Sequence, residues 1–284
     1  MRNSSVTLQP SGGGVGAFVE GIDLRDGITS SVADELREGL GEYGVLFFRD
    51  QDISPAQHLA AAEQFGEINV NRFFKAVDGQ PRIAQVLKEP AQATNIGGSW
   101  HTDHSYDQAP AMGSMLLARE VPASGGDTMF ANMFSAYEAL SEGMKESLEG
   151  LRAVHSSRHV FGPNARYLKE RTDLKGRFEN ADSATQDAVH PVVIRHPISG
   201  RKALYVNAGF TLRFDGWTAE ESAPLLQFLY RHAARLEFTY RFQWEAGSIA
   251  FWDNRATWHY ALNDYPGERR LMHRITIEGV ALSA

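Results

Sequence analysis

In the stretch "GGSWHTDHSYDQAP", residues 97–110, His101 and Asp103 stand one residue apart in a chain that contains no cysteine. Residues i and i+2 of an extended segment point to the same side, so this spacing aims an imidazole and a carboxylate at one point. One reading is a metal site; the other is a polar loop holding a hydrogen-bonded His–Asp pair. A facial site needs a third ligand. "FWDNRATWHYALNDYPGERRLMHR", residues 251–274, presents His259 after a predicted strand and turn. Two imidazoles and one carboxylate form the donor set that leaves coordination positions open on Fe(II). Without thiolates, iron–sulfur clusters and zinc–thiolate sites are excluded.

The other histidines carry blander expectations. His155 and His159 are four residues apart and share a face only if "HSSRH" is helical, and no H-E-x-x-H context supports a metal there. His58 and His232 lie on predicted helices, in packing or solvated roles; His190 and His196, beside prolines, read as structural. Arg255, Arg269, Arg270 and Arg274 crowd one short region, which suits a cationic pocket for a small anion inside an acidic protein. Arg213, Arg255 and Arg269 nevertheless read as surface ion-pair residues, Asp127 and Asp253 as turn formers, and Trp100, Phe130, Phe251 and Trp252 as core.

These residues need a scaffold. Apolar spacing and capping signals predict helices over 30–44, over 54–66 behind Ser54 and Pro55, and over 218–238 behind a Thr218/Glu221 capping box. Between them run short apolar segments bounded by Gly, Pro, Asp and Asn: "GVLFF", "GSMLLAR", "DTMFAN", "HPVVIRHP", "KALYVN", "SIAFWD" and "LMHRITIEGV". Many short strands without regularly alternating helices predict a mainly β fold with peripheral helices, a sandwich, jelly roll or barrel. "SGGGVGA" can be forced onto a dinucleotide fingerprint, but no helix opens after it.

The chain has 284 residues, 43% hydrophobic and 22% charged, with a formal net charge of −7. That composition is a folded globular protein's, and the absence of repeats or linkers predicts one domain over 1–284. The acidity argues against nucleic acid as the main partner. No secretory signal is seen in "MRNSSVTLQPSGGG" and no apolar run is long enough to span a bilayer, so a cytoplasmic protein with no membrane partner is expected. A homo-oligomer, dimer or tetramer, is also expected.

"WHTD", "REVPASGGDTMFANMFSAYEALS", "LYVNAGFTLR" and "WDNRATWHYALNDYPGERRLMHR", in this order and with "GVGAFVEGIDL" and "YGVLFFRDQDISPAQH" before them, closely resemble the taurine dioxygenase and aryloxyalkanoate dioxygenase family of Fe(II)- and 2-oxoglutarate-dependent oxygenases. The resemblance covers nearly the whole chain. It implies a cupin-like double-stranded β-helix of jelly-roll type. It also implies iron ligands at His101, Asp103 and His259, a co-substrate carboxylate site at Thr128 and Arg270, and a substrate-anion arginine at Arg274. Fe(II), 2-oxoglutarate and O2 would be consumed or used in hydroxylating a small anionic organic substrate, with succinate and CO2 as co-products. The strand pattern of "LMHRITIEGV" turns Arg270 and Arg274 to the same interior face.

Where the taurine enzyme places a histidine and a tyrosine after the second helix, and an asparagine four residues before the H-x-D histidine, this chain aligns Asn71, Phe74 and Gly97. A pocket missing those polar groups should be larger and less suited to taurine. Phe210 matches a substrate-pocket phenylalanine, and Phe73 and Tyr106 either join the pocket or belong to the core. An aryloxyalkanoate is therefore the first expected substrate, an alkyl sulfate or larger sulfonate the second. Two other readings of the same residues remain: a zinc hydrolase on the same three ligands, and a jelly-roll binding module whose arginines grip a small acid.

Overall fold

A computed structural model of the chain describes residues 6–165 and 177–284, so the first five residues of the N-terminal stretch read above for a secretory signal lie outside the described residues. The helices begin where the capping chemistry places them. Thr29, Ser54 and Thr218 accept hydrogen bonds from the backbone N–H groups of Val32, Gln57 and Glu221, opening helices Ser30–Tyr43, Pro55–Glu63 and Ala219–Ala233. The last of these is shorter than its apolar spacing predicts. The chain leaves the helix at Ala234 and makes one 3-10 turn, Leu236–Phe238, which buries Phe238 and leaves Leu236 82% exposed.

Of four sheets among the described residues, two that are largely antiparallel face each other. The larger orders its strands Thr7–Pro10, Ala17–Glu20, Val45–Phe48, Ile249–Asp253, Gly113–Glu120, Arg270–Ile277, Gln80–Lys88 and Ala76–Val77, with Ile68–Asn69 also paired to Arg270–Ile277. One neighbouring pair in it, Ala17–Glu20 with Val45–Phe48, is parallel. The smaller sheet orders Thr239–Phe242, Thr128–Asn132 and Thr257–Ala261. Phe47, Leu116, Ala250 and Met272 of the first meet Phe130 and Phe242 of the second in one core, where the Phe47 and Phe242 rings stack 4.3 Å apart. The opposite face of the large sheet is covered by the first two helices, whose Leu36, Leu40 and Leu59 pack with Leu117, Phe251 and Ile275. The chain is thus mainly β with peripheral helices, and its architecture is the jelly roll.

Alternation along Arg270–Ile277 does the positioning. Met272 enters the inter-sheet core while Ile275 and Ile277 pack under the helices, which puts Arg270 and Arg274 on the inner face. "HPVVIRHP" splits between two sheets, as Asp187–Pro191 and Val193–Arg195. The glycine run 11–16 lies between two strands and opens no helix. Its glycines serve packing: a Cβ on Gly14 would lie 2.3 Å from the Glu237 carbonyl oxygen, and Gly16 holds a φ of +91° against Phe47.

Candidate active site

A backbone bridge brings the two distant histidines together. His101 N–H donates to the His259 carbonyl at 3.2 Å, and His259 N–H to that of His101 at 2.8 Å. This exchange sets the imidazoles side by side, their centroids 4.1 Å apart. Thr102, between the two residues of the H-x-D motif, is buried and its hydroxyl donates to the Asn254 carbonyl at 2.6 Å. Asn254 sits in the turn that leads into the His259 strand, so both halves of the site are tied to one corner of the sandwich. Asp103 then lies between the rings, with His101 Nε2 to Oδ1 and His259 Nε2 to Oδ2 both 3.8 Å.

Those separations are too long for hydrogen bonds and short enough for three donors around one ion. One donor atom from each residue lies within 4.8 Å of the others, and no other such cluster occurs among the described residues. Protonation favours the same use. His101 Nδ1 lies 2.7 Å from the Ser99 carbonyl, which only accepts, so Nδ1 carries the proton and Nε2 presents its lone pair. Burial, reinforced by the neighbouring His101, pushes His259 down to about 3, which keeps it neutral. Burial alone would raise the Asp103 carboxyl, but the Arg274 guanidinium and then the two histidines outweigh it and hold the group well below the usual carboxylate range. The residues fit a resident divalent metal.

The three donors open into a cavity of about 600 Å³. Thr128, Arg270 and Arg274 line it with them, as do Phe74, Phe161, Phe178, Phe210, Gly97 and Trp252. Arg270 is 5% exposed, yet its Nε and Nη2 have no hydrogen-bond partner. Those two nitrogens form the side-on fork that grips a carboxylate bidentately. Arg274 Nη1 reaches Asp103 Oδ2 at 3.3 Å, and its guanidinium carbon stands 4.4 Å from the Phe74 ring centre.

A family model described as "Taurine catabolism dioxygenase TauD, TfdA family" matches residues 7–276. The chain belongs to that family. The dioxygenase is 35% identical over 276 residues to an alpha-ketoglutarate-dependent sulfate ester dioxygenase of Pseudomonas putida, covering 96% of this chain and 89% of that protein. It is 36% identical over 278 residues to the alpha-ketoglutarate-dependent 2,4-dichlorophenoxyacetate dioxygenase of Cupriavidus pinatubonensis, covering 92% and 93%. A crystal structure of a taurine dioxygenase from Burkholderia xenovorans superposes with a TM-score of 0.82 at 34% identity, covering 99% of this chain and 93% of that one. Membership makes the chain an oxidoreductase of the 2-oxoglutarate-dependent dioxygenases and carries a requirement for Fe(II), 2-oxoglutarate and O2.

Several expectations need correction in the dioxygenase. Asn71 is not among the residues lining the cavity: its Oδ1 accepts from the backbone N–H groups of Phe73 and Phe74 at 2.9 and 3.0 Å, so it shapes the loop that presents Phe74. Arg255 is no surface residue. It is 3% exposed and clamps Asp253 through Nε at 2.9 Å and Nη2 at 2.6 Å, while His196 Nε2 meets the same carboxylate at 3.0 Å. Asp253 also accepts from the Arg255 backbone N–H, so it forms the turn and carries a buried ion pair at once. Arg269 pairs at the surface with Glu89 and Glu120. Arg213 donates instead to the Phe214 and Trp217 carbonyls. His155 is buried between Ser105 and Thr211, whereas His159 lines the cavity and meets the Gly209 carbonyl at 2.9 Å, so the two share no metal face. Trp100 is only half-buried, at the edge of the core beside Trp258. Phe73 and Tyr106 pack behind the cavity wall with Phe74 and Phe210. Phe161 and Phe178 escaped sequence reasoning, and His159 was weighed only as a metal ligand, because nothing in their local spacing marks a wall assembled from separate loops.

Proposed function

We propose that this dioxygenase hydroxylates an amphipathic organic anion at the carbon next to a heteroatom, with an aryloxyalkanoate as the first substrate class. On this reading residues 1–284 form one dioxygenase domain. His101, Asp103 and His259 hold Fe(II); Thr128 and Arg270 bind the distal carboxylate of 2-oxoglutarate; Arg274 takes the acidic head of the substrate. Fe(II) with 2-oxoglutarate and O2 would supply the oxidising chemistry: one oxygen atom of O2 enters the substrate, turning C–H into C–OH, and the other enters the succinate formed as the 2-oxo acid loses CO2. For an aryloxyacetate the new hydroxyl sits on the carbon that bears the ether oxygen, and that hemiacetal breaks down to a phenol and a 2-oxo acid.

One observation carries the substrate reading. The Arg274 guanidinium lies between the Asp103 carboxylate, at 3.3 Å, and the Phe74 ring, at 4.4 Å. An anionic head held there brings its neighbouring carbon to the metal end of the cavity. The tail then meets Phe74, Phe161, Phe178 and Phe210, an aromatic wall suited to an apolar group. Similarity to the sulfate ester dioxygenase supports an alkyl sulfate as the second class. Succinate formation with phenoxyacetate, a medium-chain alkyl sulfate and taurine tests the order: kcat/KM should be highest for the phenoxy acid, and a highest value for taurine overturns the reading.

A further inference from the structure

Trp244 belongs to no site described so far. It follows the strand Thr239–Phe242, is 8% exposed, and donates its indole N–H to Thr128 Oγ1 at 3.0 Å. Its ring centre is also 5.6 Å from the Arg270 guanidinium carbon. One side chain therefore touches both residues assigned above to the 2-oxoglutarate carboxylate.

The hydrogen bond has a direction that matters. An indole N–H can only donate, so Thr128 Oγ1 must accept from it, whereas a threonine hydroxyl left alone rotates to suit whatever is near. With one lone pair occupied by the indole, the Thr128 proton is turned away from Trp244, and Thr128 lines the cavity. The same ring stacks near Arg270, whose Nε and Nη2 are buried without a partner. A planar aromatic beside a guanidinium restricts its rotation and adds a modest cation–π attraction. Neighbouring packing fixes the indole in turn: the Phe242 ring meets it edge-on at 4.8 Å.

We propose that Trp244 is a positioning residue for the co-substrate, orienting the Thr128 hydroxyl as a donor toward the carboxylate that Arg270 grips. The inference rests on the assignment of Thr128 and Arg270 to 2-oxoglutarate. Preorganised donors bind more tightly than donors that must first rotate and desolvate, so the effect belongs in co-substrate affinity and not in the rate at saturation.

Trp244→Phe keeps an aromatic ring against Arg270 and deletes only the N–H. A neutral hydrogen bond of this kind predicts a loss of about three- to tenfold in affinity for 2-oxoglutarate. The affinity is read by calorimetric titration of N-oxalylglycine, an unreactive isostere of 2-oxoglutarate, into the Mn(II)-loaded protein. Mn(II) affinity and kcat at saturating 2-oxoglutarate should stay within twofold. Thr128→Val removes the acceptor, so Trp244→Phe should cost little further in that background; Thr128→Ser should remain sensitive to it. Should the phenylalanine variant not fold, the benzothiophene isostere of tryptophan, the same bicycle with sulfur for N–H, gives the same reading. Unchanged affinity in the single variant overturns the inference, as does an equal loss with and without the Thr128 hydroxyl. Arg270→Ala separates the two levels. If it leaves N-oxalylglycine binding intact, the co-substrate assignment itself fails; if it abolishes binding while Trp244→Phe does nothing, only the role of Trp244 fails.

Discussion

Arg270 is the residue whose removal should speak most directly. The residue is 5% exposed, and burial lowers its pKa from the usual arginine value, with Tyr265 and Asp127 opposing only in part. Nε and Nη2 are buried without partners, and the residue lines the cavity. On the proposed assignment Arg270→Ala strips the 2-oxoglutarate carboxylate of its charge partner, and losing one member of a buried, hydrogen-bonded charge pair costs about 2–5 kcal/mol. At about 1.4 kcal/mol per decade, the lower end already weakens 2-oxoglutarate roughly thirtyfold. Arg270→Lys should recover little, because an ammonium on a flexible stem cannot reproduce the planar fork. The ligand-free protein should behave in the opposite sense. A buried cation with two unmet donors is a cost there, so Arg270→Met, which keeps the volume, should unfold no earlier than the parent in the absence of 2-oxoglutarate. Steady-state saturation with 2-oxoglutarate and thermal unfolding of the apo form read the two effects. Unchanged saturation in the alanine variant refutes the carboxylate role; a large destabilisation of the methionine variant refutes the argument from unmet donors.

His259→Ala should leave a folded protein with no metal-dependent succinate formation and a greatly weakened Mn(II) isotherm; full activity would remove His259 from the metal site. Gly209→Ala should weaken metal binding and lower the melting temperature, because the new Cβ would stand 2.9 Å from the Cβ of His101 and push that ligand aside; an unaltered isotherm argues that His101 does not bind the ion. His58, wholly buried on the inner face of the second helix, is pushed by desolvation, and then by facing His273 and Arg119, down to about 3 from an ordinary 6.5. Between those values the unfolded chain binds a proton that the folded one does not, so this group's contribution to stability is lost as pH falls below 6.5. His58→Met should flatten the pH dependence of chemical denaturation there by at most about 1.4 kcal/mol per pH unit, and an unchanged slope rules the assignment out.

Much of this was legible in the sequence, for physical reasons that differ between elements. The starts of the second and third helices were readable because Ser54 and Thr218 cap locally, within three residues, whereas the first was read from apolar spacing alone. The end of the third helix was not, since burial of Phe238 by the fold overrode an apolar rhythm that continued past Ala233. The interior face of Arg270 and Arg274 followed from strand alternation alone. Arg255 misled because a charged residue near a turn is ordinarily solvated; only the fold reveals that Asp253 and His196 meet it inside.

Asn71 leads to the last expectation. Alignment set it in the pocket, but an amide in a loop has a competing use, accepting backbone N–H groups two and three residues on. Its Oδ1 takes that use with Phe73 and Phe74. Asn71→Ala would leave both N–H groups without their acceptor, at a cost comparable to losing a helix cap, about 1 kcal/mol. The loop that holds Phe74 against Arg274 would loosen with it, so melting temperature should fall and substrate KM rise together. Asn71→Asp keeps the acceptor and should preserve both, even though it brings a negative charge near an anion-binding site. If the side chain touched substrate instead, the aspartate would repel the anionic head and raise KM at unchanged stability. That outcome would return Asn71 to the pocket and take the loop-shaping role away.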